Sequence, residues 1–226
     1  MGASRMIWIL LTITTLPAIG SDNNDLPKIL ILGDSIYQQP AAEISRALKG
    51  KAEVVFRNIQ PGEIRNTSSA LENLDQLIGT EKWALIHFNF GLGDLIYRAG
   101  GMKSFRVLPI HVGGIRTTTP EQYATNLNRL VGRLKQTNAK LVWASTTPIR
   151  HSGTNVFQKG SEIEYNIIAA KIMKTHNVPI NDMYSFVKSI INMEKPASHN
   201  ADPFFFDRQP LHPHLVQSIF ANLDLK

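Results

Sequence analysis

Lys28-Ile-Leu-Ile-Leu-Gly-Asp-Ser-Ile36 decides the reading of this chain. Ile29 to Leu32 is apolar without interruption, the composition of a strand buried on both faces of a parallel sheet. Gly33 lets the backbone turn sharply at the carboxyl end of that strand, and the segment after Tyr37 reads as a helix. Ligands of open α/β sheets bind at the carboxyl ends of the strands. A serine there, close to a helix N-terminus, is positioned for nucleophilic attack, with backbone N–H groups beside it to hold an oxyanion. Ser35 is therefore a candidate nucleophile, with Asp34 beside it on the same turn. The competing reading makes Gly-Asp-Ser a plain strand-to-helix turn with Ser35 as a cap.

Outward from this stretch, strand-like and helix-like segments alternate, the pattern of a parallel α/β sheet. Strands are expected at Lys28–Leu32, Ala52–Phe56, Trp83–Phe90, Lys140–Ser145 and Pro179–Asn181, and helices at Ala41–Leu48, Ser68–Ile78, Pro120–Gln136, Glu162–His176 and Leu215–Leu223. The order 2-1-3-4-5 with the first strand central is expected from its continuous apolarity. Thr119-Pro-Glu-Gln122 combines an N-cap, a first-turn proline and a capping-box glutamine, and Ser161-Glu-Ile-Glu164 reads as a second capping box. Gly100–Thr118, Thr147–Gly160 and Asn192–Pro213 carry no clear periodicity. Loops of this length at such places are suited to building a site.

The chain has 226 residues and 43% apolar content, enough for one domain with a full core. The first twenty residues stand apart. Arg5 precedes the apolar run Met6–Leu16, too short to span a bilayer, and Ala18-Ile-Gly20 supplies small residues before a break at Ser21. Residues 1–20 are thus expected to be a cleaved signal peptide and residues 21–226 the folded domain, exported to a periplasmic or extracellular location without a stable membrane span. No cysteine is present, which excludes disulfides, thiolate metal sites and cysteine nucleophiles. The net charge of +6 is spread along the chain without a block of five basic residues, so no nucleic-acid partner is indicated. The seven histidines show no paired metal-ligand spacing, and no metal or cofactor is expected.

With Gly33-Asp-Ser35 near the start, Ile86-His-Phe-Asn-Phe-Gly-Leu-Gly-Asp-Leu95 after the third strand, Ala144-Ser-Thr-Thr-Pro148, and an Asp/His loop before the last helix, the chain resembles the SGNH, or GDSL-type, hydrolase family. It is similar to an exported bacterial branch with Gly-Leu-x-Asp-Leu in the third block. The resemblance implies a flavodoxin-like three-layer α/β/α fold with a five-stranded parallel sheet. It also implies hydrolysis of acyl or acetyl esters, on small molecules or carbohydrates, through serine, histidine and aspartate.

Three motif blocks depart from the family pattern. In the second, Arg65 stands where the pattern has an oxyanion-hole glycine; it could stabilise the oxyanion, bind an anionic substrate or point to solvent. In the third, Gly93 replaces the asparagine of Gly-x-Asn-Asp. The loss of one donor costs about 10²–10³ in turnover unless the Gly93 N–H, Asn89 or Arg65 compensates. Asp94 is expected to close the turn by hydrogen bonding. In the last, Asp-x-x-His becomes Asp207-Arg-Gln-Pro-Leu-His-Pro-His214. His212 is the expected base, with His214 the alternative and Asp207 orienting the ring. His87, within the third strand, is expected to be a core histidine. The alternative to an enzyme is a protein that keeps the fold as a carbohydrate-binding or scaffold module.

Overall fold

The computed structural model describes residues 26–34, 36–59, 65–101, 106–150, 155–194 and 209–223. The expected leader over residues 1–20, Ser35 and Asp207 lie outside the described residues. In chain order the first half comprises β1 (Lys28–Leu32), α1 (Gln38–Ala47), β2 (Glu53–Arg57), α2 (Thr67–Glu72), α3 (Leu74–Ile78), β3 (Leu85–Phe88), α4 (Leu92–Leu95) and β4 (Tyr97–Arg98). There follow β5 (Ile115–Arg116), α5 (Pro120–Lys135), β6 (Lys140–Ala144), α6 (Ser161–His176), β7 (Ile180–Asn181), α7 (Met183–Ile190) and α8 (Leu211–Leu223).

Five of these strands form an all-parallel sheet in the order β2-β1-β3-β6-β7. This is the expected order; β1 is interior, second from the edge, and the central place belongs to β3. Ile29, Leu30, Ile31 and Leu32 are each at most 1% exposed, and burial of each such side chain stabilises by about 1.5–3 kcal/mol. Helices α1 and α8 pack together on one side, with α8 reaching β3 and β6, while α5 lies between α2 and α6. The result is a three-layer α/β/α sandwich. A separate antiparallel ribbon of β4 and β5 occupies part of the segment that lacked periodicity.

Several elements differ from the sequence expectation for identifiable reasons. The helix expected over Ser68–Ile78 is broken at Asn73, whose side-chain amide donates to Ser69 O (2.9 Å) and competes with helical continuation. The second capping box does not form. Gly160, at φ 83°, holds the N-cap position of α6, and Ser161 Oγ donates instead to Gln158 O (2.7 Å). Glu162 turns inward and accepts from Ile149 N (3.1 Å). The last helix starts at Leu211, four residues early, because Pro213 falls in its first turn, where the missing N–H has no helical partner to lose. The third strand is shorter than expected, although Ala84 N and Asn89 N still bond Lys28 O and Leu32 O beyond its ends. Helix α7 follows a two-residue strand and escaped the pattern reading.

Candidate functional site

At the end of β1 the chain turns against its own next helix. A Cβ on Gly33 would sit 2.8 Å from the Tyr37 ring, so glycine is required by packing. Asp34 closes the turn: its Oδ1 accepts from Ile36 N (2.8 Å) and its carbonyl from Tyr37 N (3.2 Å). The N-cap position of α1 belongs to Tyr37, which makes no side-chain cap bond.

Arg65, Asn89 and Gly93 come together with Gly33 and Asp34 around one cleft at the carboxyl edge of β1 and β3. Arg65 is half-buried there. Gly93 has a steric explanation. A Cβ at this position would lie 1.8 Å from the Arg65 carbonyl oxygen, a backbone atom that cannot swing aside. An asparagine amide at position 93 is excluded by the path of the Arg65–Asn66 backbone. Asn89 does not fill the gap freely, because its buried Nδ2 already donates to Ala144 O (2.8 Å) and reaches Thr146 Oγ1 (3.4 Å). It ties the end of β3 to the end of β6.

Asp94 is fully buried and acts as a structural hub. Its carboxylate accepts from Thr67 N (3.1 Å) and Thr67 Oγ1 (2.6 Å), and its own carbonyl accepts from Thr118 N (3.1 Å). Asn126 Nδ2 supports Thr67 (3.2 Å) and Asn66 Nδ2 supports Thr118 (3.1 Å). Burial pushes its carboxyl up to about 6, against the downward pull of these hydrogen bonds. The expected turn-closing role is corrected: the backbone bond from Asp94 N to Gly91 O (2.9 Å) closes the turn, while the carboxylate ties it to the start of α2.

The two histidines of α8 have different surroundings. His214 stacks on Phe186 (centroids 3.9 Å, 13° between planes), and its Nε2 meets Asn181 Oδ1 at 2.7 Å. Asn181 Nδ2 in turn approaches His87 Nε2 (3.3 Å), so one asparagine links both rings. His87 is a core residue, held down to about 4 by burial and by the neighbouring His214. His212, two residues before His214, has a buried Nε2 with no hydrogen-bond partner among the described residues. Its backbone N–H donates to Gln209 O (3.2 Å). Gln209 occupies the position three before His212, where the Asp-x-x-His pattern has its aspartate. Sequence reading missed Asn181, Glu162 and Thr67 as organisers. Only Glu162 carried a signal, and it was read as part of a cap. Among the described residues no group of three histidines or carboxylates is placed to hold a metal ion.

No protein-family model matches the chain, and no curated protein matches it in sequence. Solved structures do match. An acetyl xylan esterase, AlAXEase, superposes with a TM-score of 0.62 at 13% identity, over 86% of this chain and 98% of that one. A lipase/acylhydrolase from Enterococcus faecalis gives 0.65 at 17% identity, over 89% and 98%. A GDSL-like lipase from Parabacteroides merdae gives 0.63 at 14% identity, over 88% and 96%. The likeness extends along nearly the whole of each partner, and the chain has the α/β/α fold of the SGNH, or GDSL-type, hydrolases.

Proposed function

We propose that the chain is a serine ester hydrolase acting on short acyl or acetyl esters, carried on small molecules or carbohydrates. The observation that carries this reading is the buried Nε2 of His212, without a partner among the described residues, at the start of α8, a helix that packs along α1, which itself begins just after Gly33-Asp-Ser35. An imidazole nitrogen shielded from water and without a partner among the described residues is available to accept a proton, and a serine hydroxyl is a weak nucleophile without such an acceptor. In the proposed reaction Ser35 Oγ attacks the ester carbonyl while His212 Nε2 takes its proton. The tetrahedral oxyanion is held by backbone N–H groups at Ser35 and Gly93, with Arg65 adding positive charge at the cleft. His212 then returns the proton to the leaving alcohol, and water releases the acyl group by the same steps. Asp207 orients the imidazole in this scheme, and no cofactor takes part. Residues 1–20 direct export, so the substrate is met outside the cytoplasm.

The test is labelling with a fluorophosphonate. Modification of the wild type and none of Ser35→Ala supports the enzyme; no labelling of either, with no hydrolysis of acetylated sugars, removes it. A second reading has its own support. With the space for an amide donor at position 93 filled by the Arg65 carbonyl, the fold could serve as a carbohydrate-binding or scaffold module, which the negative outcome would select.

A further inference from the structure

The segment between α4 and α5 leaves the sandwich immediately beside the cleft. Its base is fixed: Tyr97 N bonds Val156 O (2.8 Å), Thr117 N bonds Ile96 O (2.9 Å) and Ile110 N bonds Asn155 O (3.0 Å). Arg116 braces it by donating to Tyr97 OH (3.2 Å) and Gln158 Oε1 (3.0 Å). Beyond this base the segment exposes what a folded domain ordinarily hides. Val107, Ile110, Val112 and Ile115 are 42%, 39%, 56% and 52% exposed. They account for four of the nine well-exposed large apolar residues described, within nine positions of sequence, so the cluster is not a scatter of single residues. Val107 and Ile115 both pair with Arg98, which places an apolar–cationic–apolar row on one face of the ribbon. Arg106 and His111 are exposed alongside.

Charge identifies the occupant. Arg98, Arg106 and Arg116 are the described charged residues between Asp94 and Glu121, a stretch without an acidic residue, and one carboxylate from outside it, Glu164, lies 4.0 Å from Arg116. A second copy of this net cationic face would be repelled. The well-exposed apolar residues described in this segment are aliphatic, which suits insertion among acyl chains at a headgroup boundary. We infer that the β4–β5 excursion is a membrane-surface docking element for an anionic lipid leaflet, and that it holds the cleft edge of the sheet toward that surface. The inference is independent of the ester-hydrolase reading.

Sedimentation with phosphatidylglycerol vesicles and with phosphatidylcholine vesicles tests it on the full chain. Because Met6–Leu16 is itself apolar, the readout is the difference between wild type and the paired substitution Val112→Asp with Ile115→Asp. Binding should favour phosphatidylglycerol, weaken with salt, and fall by about tenfold or more in the paired variant. Arg106→Glu should weaken it by a few-fold, with thermal unfolding unchanged in both variants. Equal affinity for the two lipids, or wild-type binding by the paired variant, would overturn the proposal. So would dextran sulfate binding that ignores the paired substitution, which would make the face a polyanion site. Concentration-dependent self-association abolished by the paired substitution would also overturn it.

Discussion

Two regions of the molecule have opposite character. On the α4 side, Asp94, Thr67, Thr118, Asn66 and Asn126 satisfy one another through a closed set of hydrogen bonds. On the α8 side, His212 presents a buried nitrogen with none among the described residues. A buried polar group without a partner costs about 1–3 kcal/mol. The contrast separates a hydrogen-bonded frame from a ring nitrogen left without a described partner, a distinction that residue type alone does not supply, since both regions are rich in groups able to donate or accept.

The largest expected effect tests the α8 side. His212→Ala and Ser35→Ala should each lower hydrolysis of short acyl esters by at least about 10³-fold, with the midpoint of thermal unfolding nearly unchanged. Hydrolysis at the parent rate by His212→Ala would place the base elsewhere.

The frame should respond in stability and in its pH dependence. Burial raises the Asp94 carboxyl from 3.8 to about 6, so the native state holds a proton that the unfolded chain releases. Its contribution to stability is complete below about pH 4 and lost as pH rises through 6. His87, lowered by burial from 6.5 to about 4, runs the other way: its contribution is present above about pH 6.5 and lost as pH falls toward 4. Each is worth about 3 kcal/mol at most, so the two offset one another between pH 4 and 6. Asp94→Asn removes the first, and its denaturation midpoint should drop more steeply on acidification than the parent's. Parallel curves would show that Asp94 titrates alike in both states.

Gly93→Asn sharpens the same contrast. It restores the residue type of the family pattern but drives a Cβ into the Arg65 carbonyl. We expect a loss of about 2–3 kcal/mol from overpacking and no gain in turnover, measured by urea unfolding and by ester hydrolysis. A faster enzyme of unchanged stability would mean that the Arg65 backbone yields easily. The smallest effect belongs to His214→Ala, which removes the ring from Asn181 and Phe186. It should destabilise by about 1–2 kcal/mol and leave most of the hydrolysis intact, the reverse of His212→Ala.

These residues also mark how far the sequence could be read. β1 was legible to the residue because an uninterrupted apolar run bounded by Lys28 and Gly33 has few alternatives, and the sheet order followed from it. Thr119 was legible as a cap because its partner, Gln122 N at 3.2 Å, lies three residues away. Ser161 was misread on the same local signal because Gly160 could adopt the left-handed conformation and take the N-cap position first. The difference in surroundings between His212 and His214 was not legible at all. It depends on Asn181, which is 33 residues from His214 and reaches it only through the packing of α8 on the sheet. Gly93 was visible as a departure, but its cause, a carbonyl belonging to residue 65, was not.

The interior position of β1 imposes a timetable on synthesis. The strand is among the first parts of the domain to be made, yet its partner on one side is complete only at Arg57 and on the other only at Phe88. At roughly 5–20 residues per second, Ile29–Leu32 waits several seconds for the second edge. Throughout that interval a greasy four-residue segment is available to chaperones, or to the same segment of a neighbouring nascent chain. Slower translation between residues 57 and 85 would lengthen that exposure and lower yield, while every molecule that did fold would be the same.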